Sequence, residues 1–390
     1  MLTPSDTASP VDVAIVGAGP LGLALALALS RNGRRVHVFD ARNAEQTRRD
    51  ARVLALSHGS RQLLHSLGAW PEGGATHIDT IHVSQRGALG RTLIRSSEYG
   101  VPALGYVAPA SLLVEALAAA AAHAGIQIDY DTRVTGIDPG TDDVSLELTA
   151  ADGTCRDVHA RLAACCEGAV DTATARVFER DYRQHALLCR VTPRAPHGHV
   201  AFERFTPDGP IALLPLGADY SVVWTVSPER LAELQQFDDD TLLATLQGAF
   251  GGHRVSLTRL RDRASFPLGL RVRHEPVGAR TVWLGNAAQT LHPVAGQGFN
   301  LALRDAWELA DELGTTGDAG AATTLAAYVR RRRVDRAGII GFTDSLVRAF
   351  STDNPLMKHL RGAGLLALDI APPLRHFVAK RMMFGARAWP

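Results

Sequence analysis

Val13-Ala14-Ile15-Val16-Gly17-Ala18-Gly19-Pro20-Leu21-Gly22 decides the fold. Four apolar residues run straight into a G-x-G-x-x-G loop, and an apolar helix follows through Leu23, Leu25, Leu27 and Leu29. Gly17 permits the tight turn, Gly19 lets a backbone approach a pyrophosphate, and Gly22 permits close packing of helix on strand. Asn32-Gly33 stops the helix, and residues 35–39 read as a second strand that delivers Asp40. An acid at that strand end is placed for a ribose hydroxyl pair. Strand, glycine loop, helix, strand and acid in this order predict a dinucleotide site on a Rossmann-like α/β domain.

A second glycine loop lies far downstream, in Trp283-Leu284-Gly285-Asn286-Ala287-Ala288-Gln289-Thr290-Leu291-His292-Pro293-Val294-Ala295-Gly296-Gln297-Gly298-Phe299-Asn300. It reads as a short strand, a loop, and a helix from about Asn300. A loop that opens a helix aims free N–H groups and a positive dipole end at an anion or an electron-rich ring.

The chain of 390 residues is long enough for two ordinary domains. A formal net charge of +1, with no basic stripe interleaved with aromatics, gives no reason to expect nucleic acid. Cys155, Cys165, Cys166 and Cys189 lack metal-ligand spacing and read as reduced thiols of a cytoplasmic protein. The apolar run 13–29 is explained as strand plus buried helix, so no membrane span or signal peptide is expected. Residues 1–10 read as a disordered leader.

Between the glycine loops, residues 111–124 form an alanine-rich helix, and 144–148 with 158–164 an alternating hairpin. From about 181 to 266 the texture is strand-rich, with a helix near 238–250. Tyr220, Trp224 and Phe266 at strand spacing read as core. A helix is expected near 321–333, where the arginine run 330–333 reads as a solvated face.

Gly17–Gly22 with Asp40, the Asp50-Ala51-Arg52-Val53-Leu54-Ala55-Leu56-Ser57 segment and the late motif together resemble the single-component flavin aromatic hydroxylases. The Leu284–Pro293 run, Ala201-Phe202-Glu203-Arg204-Phe205-Thr206 and Phe342-Thr343-Asp344-Ser345-Leu346-Val347 are similar to the ubiquinone-biosynthesis branch, most of all to its 2-octaprenyl-6-methoxyphenol hydroxylases. The resemblance implies non-covalent FAD, with NAD(P)H and O2 as co-substrates. It implies an FAD-binding domain in three parts (11–80, 105–180, 271–350), interrupted by a sheet-rich substrate domain (81–104, 181–270) and closed by a helical C-terminal region (351–390).

By the same resemblance, Gly17, Gly19 and Gly22 hold the ADP half and Asp40 the adenosine ribose. Arg52 lies beside the pyrophosphate or ring. Gly285, Asn286, Gly296, Gln297, Gly298, Phe299 and Asn300 hold the ribityl chain and isoalloxazine. His292 and Pro293 are the candidates for a catalytic role on the flavin side, with His292 either a base or only a shaper of the loop. Where relatives carry Asp-Gly, this chain has Glu167-Gly168, which puts nicotinamide handling in doubt.

The expected reaction is hydroxylation of a polyprenyl phenol, by way of a flavin C4a-hydroperoxide, at the ring position of 2-polyprenyl-6-methoxyphenol. Another ring position, a small phenolic acid, a flavin oxidase or dehydrogenase, and a non-catalytic FAD-binding scaffold are the alternatives. The apolar and basic C-terminal region, with Leu356, Leu360, Leu365, Leu366, Leu368 and Ile370 beside Lys358, Arg361, Arg375, Lys380 and Arg381, suits an anionic inner-membrane surface or other quinone-biosynthesis proteins.

Overall fold

The computed structural model describes residues 11–87, 91–170, 175–251, 255–314, 316–350 and 355–388. The leader 1–10 lies outside them, as do the side chains of Leu356, Lys358, Leu360, Arg361 and Leu365.

The first sheet has five parallel strands in the order Thr281–Trp283, Cys155–Cys165, Val11–Val16, Val36–Phe39 and Gln127–Asp129. The central strand is covered on both faces, so its residues 13–16 are all apolar and buried. Val13 and Ile15 face a core shared with the helices Pro20–Arg31, Ala110–His123 and Gln297–Gly314. Ala14 and Val16 alternate to the opposite face, which the antiparallel strands Thr132–Pro139 and Val144–Ala150 cover.

The second sheet is mixed, in the order Gln289–Thr290, Leu257–Arg273, Val177–Pro193, Asp219–Val226, Gly209–Leu216, Val200–Thr206, Thr80–Gln85 and Arg91–Arg95. One face packs on the helices Pro228–Gln235 and Asp239–Phe250, with Tyr220 and Trp224 almost fully buried among them. Phe266, read as core, is instead exposed. A small sheet of Val53–Ser57, Gly105–Pro109 and Thr76–Ile78 lies between the large ones in sequence and packing.

The late helix starts at Gln297 rather than near Asn300, because Gly296, at φ +59°, closes a 3-10 turn (Val294–Gly296) directly against it. On the long helix Ala322–Phe350 the arginine run is exposed at Arg330, Arg331 and Arg333, as expected of a solvated face, and departs from that reading at Arg332. Arg332 is buried, its Nε donating to Asp305 at 2.6 Å and its Nη2 to Asp335 at 2.7 Å. Arg331 pairs with Glu308 and Asp311. The acids of the Gln297–Gly314 helix face this run, which a single-helix pattern does not reveal. The helices Pro355–Ile370 and Pro372–Phe384 follow, and a 3-10 helix, Gly385–Ala388, is the last described element. Among the described residues no helix is long and apolar enough to cross a membrane.

Candidate active site

Each glycine of the first loop has a different physical reason. A Cβ on Gly22 would stand 1.9 Å from the Gly17 carbonyl oxygen, so close packing excludes any side chain. Gly17 holds φ +105° and donates its N–H to the Phe39 carbonyl at 2.7 Å, fixing the turn to the second strand. Gly19 has an ordinary φ of −70°, and a Cβ there would meet no protein atom within 4 Å. Nothing inside the protein demands glycine at that point. Gly19 also caps the Pro20–Arg31 helix without a side-chain hydrogen bond, leaving the positive helix end uncovered. An open, uncapped helix start is what a pyrophosphate needs.

Asp40 is fully buried and held in place. Its Oδ2 accepts the Ala18 N–H at 2.7 Å, and Arg42 forks onto both oxygens at 2.9–3.0 Å. The sequence reading missed Arg42, although an arginine two residues after a strand-end acid is a fair signal for such a clamp. Arg52 is half exposed and lies on Asp50, Nη2 to Oδ2 at 2.5 Å. Glu167 packs on the loop, its Cβ 2.7 Å from where a Gly17 Cβ would stand. Burial, then the neighbouring Asp40 charge, raises the Glu167 pKa above the usual carboxylate range.

The structure brings the late motif onto the early one. Gly285 sits at φ +58°, and the place of its absent Cβ lies 2.5 Å from a methyl of Leu21, one residue before Gly22. Asn286 projects outward as an exposed residue. Gly298, in the first turn of its helix, meets nothing within 4 Å and leaves a second open helix start. Gln297 is buried and Phe299 packs on the main core.

The structure bears on two of the expected site residues, and for His292 it favours one of the two alternatives left open. The Asn300 amide is consumed inside the protein: Oδ1 accepts from Ser57 N at 2.8 Å and Ser60 Oγ at 2.7 Å, while Nδ2 donates to the Ala55 carbonyl at 2.9 Å and the Gly296 carbonyl at 2.7 Å. That exhausts its hydrogen-bonding capacity and makes it the fastener of the loop. His292 is 1% exposed, and burial pushes its pKa down to about 4. Its Nδ1 accepts the Val294 N–H at 3.1 Å, so the neutral ring carries its proton on Nε2. A neutral ring whose free lone pair is already bonded is a loop shaper rather than a base. The adjoining Pro293 lines the cavity described next.

A cavity of about 300 Å³ lies between the free face of the second sheet, the 293–300 loop and the last two helices. Its walls are overwhelmingly apolar, including Ile81, Phe205, Leu214, Val294 and Met383. Among the described residues, Glu203 is its one ionisable lining residue. The sequence reading quoted Glu203 within a motif and gave it no role. Its signal was an acid at an inward position between Ala201 and Phe205.

Residues 10–341 match the FAD binding domain family. The chain is 31% identical over 394 residues to ubiquinone hydroxylase UbiL of Rhodospirillum rubrum, covering 97% of this chain and 91% of that one. It is 30% identical over 399 residues to 3-demethoxyubiquinol 3-hydroxylase of Escherichia coli, covering 96% and 98%. The chain belongs to the FAD-dependent hydroxylases of ubiquinone biosynthesis. It is a flavin monooxygenase with FAD as cofactor. The crystal structure of p-nitrophenol 4-monooxygenase PnpA from Pseudomonas putida superposes with TM-score 0.81 at 17% identity, over 97% of this chain and 99% of that one, and shows the same fold. The open Gly19 and Gly298 helix starts suit FAD in this family, since both cradles are clear of protein atoms.

Proposed function

We propose that this hydroxylase acts on the ring of a polyprenyl phenol, 2-polyprenyl-6-methoxyphenol, within ubiquinone biosynthesis. The observation that carries the reading is the cavity lining, which among the described residues contains no basic side chain. A small phenolic acid would bring a carboxylate into apolar walls with no cation to meet it, at a cost of several kcal/mol (~). A neutral phenol with a hydrocarbon tail meets no such penalty. Leu368, Val378, Met382 and Met383 of the last two helices form part of the apolar wall, against which a hydrocarbon tail would pack. Leu366, Ile370, Leu374 and Phe377 on the same helices are exposed. Such a surface suits delivery of the substrate from a membrane or from other quinone-biosynthesis proteins.

FAD, when reduced by NAD(P)H and met by O2, supplies the electrophilic oxygen. The chain's own residues then hold the cofactor and keep water out. Gly19 and Gly298 admit it at two helix starts, with Gly17 and Gly22 shaping the first. Asp40 would accept the ribose hydroxyls, and Asn286 would offer its exposed amide to the ribityl chain. The neutral His292 keeps the 293–296 turn closed beside an apolar cavity, where water would divert the reaction.

The Escherichia coli relative, named for a different ring position, supports a second reading in which a later quinone intermediate is the substrate. Deletion of the gene separates them. Accumulated 2-polyprenyl-6-methoxyphenol is expected; a demethoxyquinone would favour the second reading, and unchanged quinone would refute both.

A further inference from the structure

Glu203 stands alone on the cavity face of the Val200–Thr206 strand. Its neighbours in register are Val83 and Ala212, and two residues to either side lie Ala201 and Phe205. All four are apolar and line the cavity. The other polar lining residues are hydroxyls and amides that do not titrate, so among the described residues no charged or titratable side chain of the 293–300 loop, the long C-terminal helix or the last two helices lines the cavity with Glu203. No hydrogen bond or ion pair joins it to any described residue. Glu203 is half-buried and lines the cavity. An unpaired carboxylate in such walls is costly unless a ligand supplies the partner.

We infer that Glu203 is a catalytic residue that accepts the hydroxyl proton of the phenol substrate, and thereby selects a phenol over its ether. Phe205 packs with Val294 of the flavin-side loop, which puts Glu203 about 7 Å along the strand from that contact, at two strand steps. A ring hydroxyl bonded to Glu203 therefore lies in the cavity beside the loop, with the hydrocarbon tail free to run toward the last helices. Desolvation raises the Glu203 pKa to about 7, where a carboxylate is a stronger base than usual yet still ionises at neutral pH.

In the step, the phenol O–H bond breaks and a Glu203 O–H bond forms. The electron pair stays on the ring oxygen and enriches the ring carbons ortho and para to it. Two ring electrons form the new C–O bond to one oxygen of the O2 as the O–O bond breaks, leaving a carbonyl at the original ring oxygen. The second oxygen leaves with the O–O electron pair and, once protonated, ends as water, with NAD(P)H as the source of the two reducing electrons. Rearomatisation releases the C–H proton to solvent while Glu203 returns its proton to that oxygen, regenerating the carboxylate.

The inference rests on the phenol reading above, and the test separates the two. Binding of 2-farnesylphenol and of its O-methyl ether to the FAD-loaded protein is followed by the perturbation of the flavin absorption between pH 5.5 and 8.5. The phenol is expected to bind about tenfold more tightly than the ether at pH 8, the size of one hydrogen bond to a charge. That preference should collapse below pH 6, where Glu203 is protonated and can donate to the ether. Glu203→Gln should keep its FAD, bind both compounds, and show a small preference that does not change with pH. Glu203→Leu should bind the ether at least as well as the unaltered protein does. Equal binding of phenol and ether by the unaltered protein, or an unchanged pH profile in Glu203→Gln, would overturn the role of Glu203 while leaving the apolar substrate in place. Binding of neither compound by the FAD-loaded protein would overturn both.

Discussion

Asn300 and Ser57 are 243 residues apart in sequence, yet Asn300 Oδ1 accepts the Ser57 backbone N–H at 2.8 Å. Three more bonds from the same amide fix Ser60, Ala55 and Gly296. Asn300→Leu should therefore strand several buried polar groups and cost about 2–4 kcal/mol of stability. Chemical denaturation checks the stability, and the yellow colour of the purified protein checks FAD retention, which should fall with it.

Gly19 and Gly22 make a contrasting pair. Gly19→Ala adds a methyl where no protein atom stands, so the apoprotein should keep its stability within about 0.5 kcal/mol. FAD affinity should nonetheless fall about tenfold or more, because the methyl occupies the cofactor's approach. Gly22→Ala drives its methyl into the Gly17 carbonyl and should impair folding itself. Melting of the two apoproteins, followed by FAD titration, tells these apart.

His292 predicts a pH dependence of stability. Its folded pKa, about 4, lies below the unfolded value of 6.5, so the unfolded chain takes up the proton first on acidification. The contribution is fully present above pH 6.5 and is lost progressively toward pH 4, amounting to roughly 3 kcal/mol. His292→Asn, which keeps an acceptor near the Nδ1 position, should flatten that part of the profile. It should also leave no missing ionisation between pH 6 and 8 in the rate profile.

Asp335 lies between Arg304 and Arg332, accepting from them at 2.8 and 2.7 Å, and its other oxygen accepts the Ala386 N–H at 2.8 Å. Asp335→Ala leaves two buried guanidinium groups facing each other and releases the C-terminal segment. A loss of about 3–5 kcal/mol is expected in denaturant unfolding. A loss below 1 kcal/mol (~) would show that water enters freely and that the buried network is not holding the last helices.

By itself the sequence determined the nucleotide half of this protein. Gly17, Gly19, Gly22 and Asp40 act through local backbone geometry, and local geometry is written in consecutive residues. The strand and helix periods were legible for the same reason. Only the tertiary structure decided which polar side chains face a ligand and which face the protein. Asn300 belongs to a ligand motif in sequence, but strand Val53–Ser57 and Ser60 of the following helix use up its amide. Arg332 looks solvated with the rest of its run until Asp305 of a neighbouring helix is seen opposite it. Glu203 is one charged letter in a strand until the sheet, the loop and the last helices close around it. A side chain's chemistry is set by what surrounds it in space, and those surroundings come from segments far apart along the chain.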